Sequence, residues 1–411
     1  MEEFDFTLFD NGIRSVYKHI PHTQLFHCGF VLDIGSRDEQ QHQQGLAHFW
    51  EHMAFKGTQK RKAFHILNRL ESVGGEINAY TTKEKIYFYA SVLSKHHERA
   101  IELLTDILFR STFPDSEAEK ERNVILEEMA MYNDMPEEAI IDEFDGIIFK
   151  DHPLGNNILG TEESVNSFKK NDFEQFLKEN IDTERIVFSA VGNIASDRLS
   201  QKLKKYLTPI PKQKNAKNRL PFANYHVQHI EKRKNTLQAH CALGTEGLAL
   251  SHEDRLPLFM LTNILGGPGL TSRLNMALRE RNGLVYSIEA SYTPYLDTGI
   301  IGIYFGTDEK RLQKCIRIVH REINKLKEKK LGTTQLNQAK EQIMGNMVMA
   351  EERNASLMQI MGKSLLDSGK IQSLDDLFEQ IKEITAAKIQ SLANEYFANE
   401  RLSSLIYLPE N

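Results

Sequence analysis

The sequence repeats itself weakly in two halves of similar length, and this repeat constrains the fold more than any other feature. Thr-Gln-Leu-Phe-His-Cys at 23–28 returns 213 residues later as Thr-Leu-Gln-Ala-His-Cys at 236–241. In each half a glycine-led alternating stretch, at 74–82 or 283–290, then leads into a strand pattern and a helical pattern. This repeated order of elements favours a duplication over two unrelated domains.

A segment at 206–222 separates the halves. It holds three prolines among Lys, Asn and Arg, without helical or strand periodicity, which is typical of a linker. We therefore predict a first domain at 1–205, this linker, and a second domain at 223–411. Each half mixes alternating strand patterns with amphipathic helices. The expected fold is α+β, with two related domains that each have a mostly antiparallel sheet and helices packed on one face.

Composition and charge exclude several classes of protein. The 411 residues are too many for one compact core, and no apolar run approaches the roughly 20 residues that span a bilayer. The three cysteines include no CxxC pair, and the net charge of −6 disfavours a general nucleic-acid-binding surface. Residues 1–8 are acidic and resemble neither a secretory signal nor a transit peptide. The sequence predicts a cytoplasmic protein with no membrane or nucleic-acid partner.

One short motif carries chemistry, His-Phe-Trp-Glu-His at 48–52. His48 and His52 are four residues apart, so on a helix both imidazoles lie on one face and can bind the same metal ion. Imidazole suits zinc, and a catalytic zinc needs three protein ligands plus a water. Glu51 borders the same face, where its carboxylate can take a proton from the attacking water. This HxxEH spacing inverts the better-known HExxH, and a chance match is the competing interpretation.

The third ligand is expected on a helix predicted at about 114–132. At about 100° per residue, Glu121 and Glu128 lie inside the apolar stripe of this helix and Glu127 lies outside it. A carboxylate in an apolar stripe is costly unless it is paired or bound to metal. Glu128 and Glu121 are therefore the candidates, and a simple ion pair is the alternative for Glu121. The stripe residues are Val124, Ile125, Met129 and Tyr132.

The text around the motif, Gly-Leu-Ala-His-Phe-Trp-Glu-His-Met-Ala-Phe-Lys-Gly-Thr at 45–58, resembles the signature of the pitrilysin/insulinase superfamily (M16). The resemblance is closest to the mitochondrial-processing-peptidase-like branch. It implies a duplicated metallopeptidase roll that binds Zn²⁺ through His48, His52 and a glutamate about 76 residues further on, which is Glu128. It also implies a supporting role for Glu121, seven residues before that ligand.

The resemblance covers nearly the whole chain. Leu-Arg-Glu-Arg-Asn-Gly-Leu-Val-Tyr-Ser at 278–287 is similar to the family segment with an Arg–Tyr pair. That pair maps onto Arg279 and Tyr286, which would hold the substrate and steady the oxyanion. Asn-Ala-Tyr-Thr at 78–81 is similar to the substrate-side edge strand, which makes Asn78 and Ala79 implied contacts to an extended peptide. Without the resemblance, Arg279 would be interpreted as a surface charge and Asn78 as a strand-end residue.

The second half lacks the motif. An offset of 213 residues places three apolar side chains, Leu261, Ile264 and Leu265, where the first half has His48, Glu51 and His52. The second domain is therefore expected to close over the first and enclose the substrate. The departures from the family pattern are few: Trp50, Pro268, Leu270 and Asn275.

The sequence thus predicts a zinc-dependent endopeptidase acting on peptides or unfolded segments, with Glu51 as the base. The resemblance implies a homodimer, or a heterodimer with a related inactive subunit. One alternative is a non-catalytic structural or partner subunit of a processing-peptidase-like complex, although such relatives usually lose part of the motif. Another is a metal-binding regulatory module, for which four ligands would be usual. A His₂Glu set also tolerates manganese or cobalt.

Overall fold

A computed structural model describes residues 4–410 and divides the chain into two compact units. The first unit contains the chain up to Met129, with Asn156–Arg219 and Val348–Ser373, and the second contains Ala130–Gly155, Leu220–Met347 and Leu374–Asn411. The units are therefore not the continuous ranges 1–205 and 223–411 expected from the sequence. Residues 1–3, the start of the acidic N-terminal segment, lie outside the described residues.

The first unit is built on a mostly antiparallel sheet, as the alternating patterns predict. Its strands are β1 (Asp5–Leu8), β2 (Arg14–His19), β3 (Leu25–Leu32), β4 (Glu76–Thr81), β5 (Ile86–Leu93) and β6 (Ile186–Gly192). Their order within the described residues is β1-β2-β6-β3-β5-β4, and β2 runs parallel to β6. One edge of this sheet is β4.

The sheet of the second unit has a related order. Its strands are β7 (His229–Lys234), β8 (Ala239–Gly247), β9 (Val285–Pro294), β10 (Gly299–Thr307) and β11 (Ser403–Pro409). In the described part of the chain they follow the order β7-β11-β8-β10-β9, with β7 parallel to β11 and the remaining pairs antiparallel. Two related sheets, each combined with helices, confirm the predicted α+β fold class.

The α-helices follow a similar but not identical order of elements in the two halves. They are α1 (Leu46–Ala54), α2 (Ala63–Glu71), α3 (His97–Phe109), α4 (Asp115–Asn133), α5 (Pro136–Ile148), α6 (Glu162–Ser167), α7 (Lys170–Asn180), α8 (Ser196–Leu207), α9 (Arg255–Gly266), α10 (Leu312–Glu328), α11 (Thr333–Glu351), α12 (Asn354–Ser368), α13 (Leu374–Glu383) and α14 (Ala386–Tyr396). A π-helical turn at Asn275–Glu280 precedes β9.

Helices cover both faces of the first sheet, which differs from the one-face arrangement expected. Phe30 of β3 packs on Phe109 of α3, with ring centroids 5.8 Å apart. The next residue, Val31, points to the opposite face and meets α12 at Gly362. A Cβ at Gly362 would lie 2.8 Å from Val31, so the missing side chain allows this close approach. A helix from the second half of the sequence therefore closes the first core.

The second unit gains a helix from the first half in the same way. Apolar residues of α5, among them Ile140 and Phe144, form one buried cluster with Ala242 of β8 and Leu405 of β11. Each unit thus takes a helix from the other half of the sequence, which explains why the units differ from the continuous ranges 1–205 and 223–411. An apolar stripe indicates that a helix is buried, but it does not indicate which sheet covers it.

The predicted linker at 206–222 starts inside α8 and is then bound to the first unit by a buried ion network. The Arg219 guanidinium donates to both carboxylate oxygens of Asp38, at 2.8 and 2.7 Å, and lies 2.9 Å from Asp33. Lys217 Nζ lies 2.7 Å from Asp38. Burial alone would raise the pKa of Asp38, but Arg219 and Lys217 outweigh it and hold the pKa below its usual range.

We expect Arg219→Met to lower the free energy of unfolding of the first unit by about 3 kcal/mol, because it leaves Asp38 buried without its main partner. Trp50, the single tryptophan, is fully buried in the same unit, so its fluorescence in urea reports on this unfolding. Because the folded pKa of Asp38 is lowered, the stabilisation is present at neutral pH and is lost as the pH falls through that lowered value.

The matched control is Lys214→Met, which removes a positive charge from an exposed part of the same linker. This variant should unfold at the wild-type urea concentration. Equal destabilisation by both substitutions would mean that total charge, and not the buried pair, holds the linker.

The structure also gives the character of its helices and the state of its cysteines. Among the helices formed by residues 4–410, none combines the length and the apolar character that a membrane crossing requires. Cys28, Cys241 and Cys315 are all buried, and their thiols are free.

Candidate metal centre

The HxxEH motif lies on α1, as its spacing predicts. Leu46, Phe49 and Met53 of this helix are fully buried and anchor it in the core. Trp50 is also fully buried, and its ring lies 5.6 Å from that of Phe88 on β5. This packing fixes the rotation of α1 about its axis. The opposite side of the helix therefore presents the two histidines and the glutamate of the motif in fixed positions.

The N-terminus of α1 is held by Glu39, which the sequence analysis did not identify. Its carboxylate accepts hydrogen bonds from the backbone N–H groups of Gly45 (2.9 Å) and Ala47 (2.7 Å). Gly45 has a φ of +91°, and a Cβ there would lie 2.4 Å from the carbonyl oxygen of Leu159. No sequence motif indicates Glu39, because its carboxylate contacts only backbone N–H groups of the helix, which are present whatever the side chains are.

Three side chains converge on one point, and they are the three ligands predicted. Glu128 Oε2 lies 3.7 Å from His48 Nε2 and 3.6 Å from His52 Nε2. The ligand atoms of the three residues all lie within 4.8 Å of one another. Tetrahedral zinc with bonds of about 2.1 Å would place its ligands about 3.4 Å apart. The donor set and its spacing therefore fit a zinc ion.

The protonation of the site also suits a cation. Burial, followed by the neighbouring His52, lowers the pKa of His48 to about 3, so its imidazole is neutral and has a free lone pair. Burial raises the pKa of Glu128, and His52 opposes that effect. A neutral imidazole and a neighbouring carboxylate can both bind a metal ion. The positive charge of the bound ion would in turn favour the ionised form of the Glu128 carboxyl group.

Glu121 connects two residues of the site. Its Oε2 accepts a hydrogen bond from His52 Nδ1 at 3.1 Å, and its Oε1 lies 2.5 Å from Lys56 Nζ. Although burial raises the pKa of Glu121, these two partners outweigh it and lower the pKa. Because an ionised carboxylate only accepts, Nδ1 of His52 carries the proton and Nε2 is left for a metal. Glu121 thus makes an ion pair with Lys56 and a hydrogen bond to His52, and its role in supporting a metal ligand stays a prediction.

Lys56 was missed by the sequence analysis, although it lies four residues after His52. Glu51 has a second unanticipated neighbour, because Thr81 of β4 donates a hydrogen bond to Glu51 Oε2 at 2.6 Å. Glu51 is only 8% exposed, and this burial raises the pKa of its carboxyl group, which the hydrogen bond from Thr81 opposes. A base with a raised pKa is closer to the range in which it can both take and return a proton.

The three glutamates of α4 have the order of burial that helix periodicity predicts. Glu121 is buried, Glu128 is half-buried and Glu127 is exposed. One part of the predicted stripe is wrong, because Val124 is 48% exposed. The buried face of α4 is narrower than its apolar residues indicate.

The predicted substrate residues lie on β4. Asn78 is exposed and Ala79 is half-buried, and β4 forms a sheet edge as expected. Their contact with a peptide stays a prediction.

The second unit shows the predicted loss of the motif. Leu261 and Leu265 are fully buried on α9, and among residues 4–410 the only group with metal-ligand spacing is the one formed by His48, His52 and Glu128. Within the second unit, the Arg279 guanidinium carbon lies 5.8 Å from the ring centroid of Tyr286, which is 85% exposed. Their predicted role in holding the substrate stays untested.

One of the departures from the family pattern, Asn275, makes a local hydrogen bond. Asn275, the first residue of the π-helical turn, donates a hydrogen bond to the carbonyl of Leu270 in the segment that precedes the turn.

Comparison with known proteins gives the chain a family context. Residues 14–162 match the model for insulinase (peptidase family M16), and residues 167–343 match the model for the peptidase M16 inactive domain. The uncharacterized zinc protease YmxG of Bacillus subtilis is 34% identical over 96% of this chain and 96% of its own. The mitochondrial-processing peptidase subunit beta of Saccharomyces cerevisiae is 30% identical over 96% of this chain and 88% of its own.

Solved structures agree on the fold. A peptidase M16 inactive domain from Pseudomonas fluorescens has a TM-score of 0.91 at 17% identity, covering 100% of this chain and 99% of that one. A protease from Helicobacter pylori has a TM-score of 0.90 at 20% identity and covers both chains fully.

Proposed function

Because this chain belongs to the insulinase family of metallopeptidases (peptidase family M16), whose relatives are zinc proteases, we propose that it is an active zinc endopeptidase of the HxxEH type. His48, His52 and Glu128 would hold the zinc ion, and Glu51 would act as the general base. The observation that carries this proposal is the convergence of two imidazole nitrogens and one carboxylate oxygen within 4.8 Å of one another. The buried carboxyl group of Glu51 lies next to one of these histidines in the sequence.

Each residue would have a distinct task in peptide hydrolysis. When bound, zinc supplies a Lewis acid that polarises the scissile carbonyl and makes a water molecule more acidic. Glu51 takes one proton from the attacking water as the new C–O bond forms, and it returns that proton to the nitrogen as the C–N bond breaks. Glu121 keeps His52 in the required tautomer, and Lys56 holds Glu121 in place.

Substrate binding would involve both units of the chain. We propose that an extended peptide or unfolded segment pairs with the edge of β4 beside Asn78 and Ala79, by addition of a strand to the sheet. Arg279 and Tyr286 of the second unit would hold the peptide and steady the developing oxyanion, with the substrate enclosed between the two domains. Two chains would associate, either as a homodimer or with a related inactive subunit.

The alternative of a non-catalytic partner subunit is not favoured. Such a subunit has no need for a base beside the metal, yet Glu51, its hydrogen bond to Thr81 and all three metal-binding side chains are present.

The proposal is tested by measuring zinc content and cleavage of an unstructured peptide library before and after treatment with a chelator. We expect about one zinc per chain, loss of cleavage when it is removed, and recovery on adding Zn²⁺. A mock-treated sample dialysed without chelator is the control. Cleavage that persists in metal-free protein would contradict the proposal.

A further inference from the structure

We propose that Thr81 is a positioning residue for the hydrolysis, an inference that rests on the proposed function. Its hydroxyl would hold one carboxylate oxygen of Glu51 so that the other faces the attacking water. Thr81 Oγ1 lies 2.6 Å from Glu51 Oε2, and the hydroxyl must donate because an ionised carboxylate only accepts. Within residues 4–410, no other side chain makes a hydrogen bond to Glu51.

The donor is fixed by its strand. Thr81 is the last residue of β4 and pairs with Ile86 of β5. The turn that follows is closed by Thr82, whose backbone N–H donates to the carbonyl of Lys85 at 2.8 Å and whose Oγ1 accepts from the Lys85 N–H at 2.9 Å. Because a β-branched side chain is also restricted at χ1, the direction of the Thr81 hydroxyl follows from the backbone of this hairpin.

The acceptor is fixed by the same hairpin. Glu51 follows Trp50, whose ring packs on Phe88 of β5, and β5 is the strand that pairs with Thr81. Donor and acceptor are therefore both tied to β5, so their distance is set before any substrate binds. A carboxylate otherwise rotates freely about its terminal bond, and holding Oε2 leaves Oε1 with a defined direction.

The contact also connects the base to the substrate strand. Thr81 lies two residues from Ala79 on β4, and alternate residues of a strand point to the same face. If a peptide pairs with the edge of β4, the element that aligns the peptide also aligns Glu51. Because the side-chain contact of Thr81 is with the proposed base, its loss should affect kcat more than KM.

The decisive substitution is Thr81→Val, which keeps the branched shape and removes the hydroxyl. We expect kcat to fall about 10- to 100-fold, with KM within about twofold of wild type, because one hydrogen bond to a charged group is lost. Zinc content should equal that of the wild type. Thr81→Ser keeps the hydroxyl and should restore kcat to within about threefold of wild type.

Three results would overturn this inference. They are a wild-type kcat in Thr81→Val, a Thr81→Ser variant as slow as Thr81→Val, and loss of zinc from Thr81→Val, which would indicate a structural role. A further readout uses Glu51→Asp, whose shorter side chain retracts from Thr81. Adding Thr81→Val to it should cost clearly less than in the wild type, and an equal loss in both backgrounds would argue against a role through Glu51.

Failure of the wild-type protein itself to cleave peptides in a chelator-sensitive way would instead contradict the proposed function. The wild-type assay is therefore made first.

Discussion

Glu51→Gln is expected to abolish peptide hydrolysis while the protein keeps its zinc. The amide has the shape of the carboxylate and can still accept a hydrogen bond from Thr81, but it cannot take a proton from water. General base catalysis contributes about 10²- to 10⁴-fold, so kcat should fall by about that factor. The measurement pairs single-turnover cleavage of an unstructured peptide with metal analysis of the same sample.

Retention of zinc is essential to this test, because it separates the role of the base from that of a ligand. The ligand atoms of His48, His52 and Glu128 converge without any contribution from Glu51. Wild-type turnover by Glu51→Gln would reject Glu51 as the base. Loss of the metal from this variant would show that Glu51 is needed to build the site.

Glu128→Gln should lower zinc affinity by more than about 100-fold, since even partners outside the ligand set alter metal affinity about 10- to 100-fold. The substitution replaces the anionic ligand, whose Oε2 lies 3.6 to 3.7 Å from both histidine nitrogens, with a neutral and weaker donor. Cleavage should be lost at limiting zinc and partly recovered when zinc is in excess. Competition with a chromogenic chelator measures the affinity directly.

The neighbouring Glu127 provides the matched control for this experiment. It is exposed on the same helix, so Glu127→Gln removes the same charge one residue away from the ligand. Its zinc affinity and its cleavage rate should equal those of the wild type. Equal loss of zinc from both variants would contradict the assignment of Glu128 by helix face.

The side chains proposed to bind the metal could be narrowed down from local periodicity, which left Glu121 and Glu128 as candidates on α4, and the family resemblance then pointed to Glu128. Two histidines four residues apart on α1, and a glutamate on the buried side of α4, are fixed by the geometry of an α-helix. These positions can be inferred once both segments are known to be helices, without knowledge of the tertiary fold. Helix periodicity also predicts that Glu121 is buried and Glu127 exposed, and the structure confirms both.

The supporting residues could not be predicted, because their contacts leave no pattern in the sequence. Thr81 reaches Glu51 across 30 residues, and Glu39 holds α1 through backbone groups that carry no sequence signal. Lys56 differs, since its four-residue spacing from His52 could have indicated a neighbour of the site. Its partner, Glu121, comes from another helix and depends on how α1 and α4 pack.

The sequence by itself determined the two-half α+β fold, the motif on α1 and the loss of that motif at Leu261 and Leu265 on α9. These depend on the period of apolar residues and on the identity of single side chains. Only the tertiary structure decided that α12 completes the first core and α5 the second. It also decided that β5 supports both the base and its hydrogen-bond donor. Periodicity reports that a face is buried, whereas the partner of that face is chosen by packing between residues far apart in the chain.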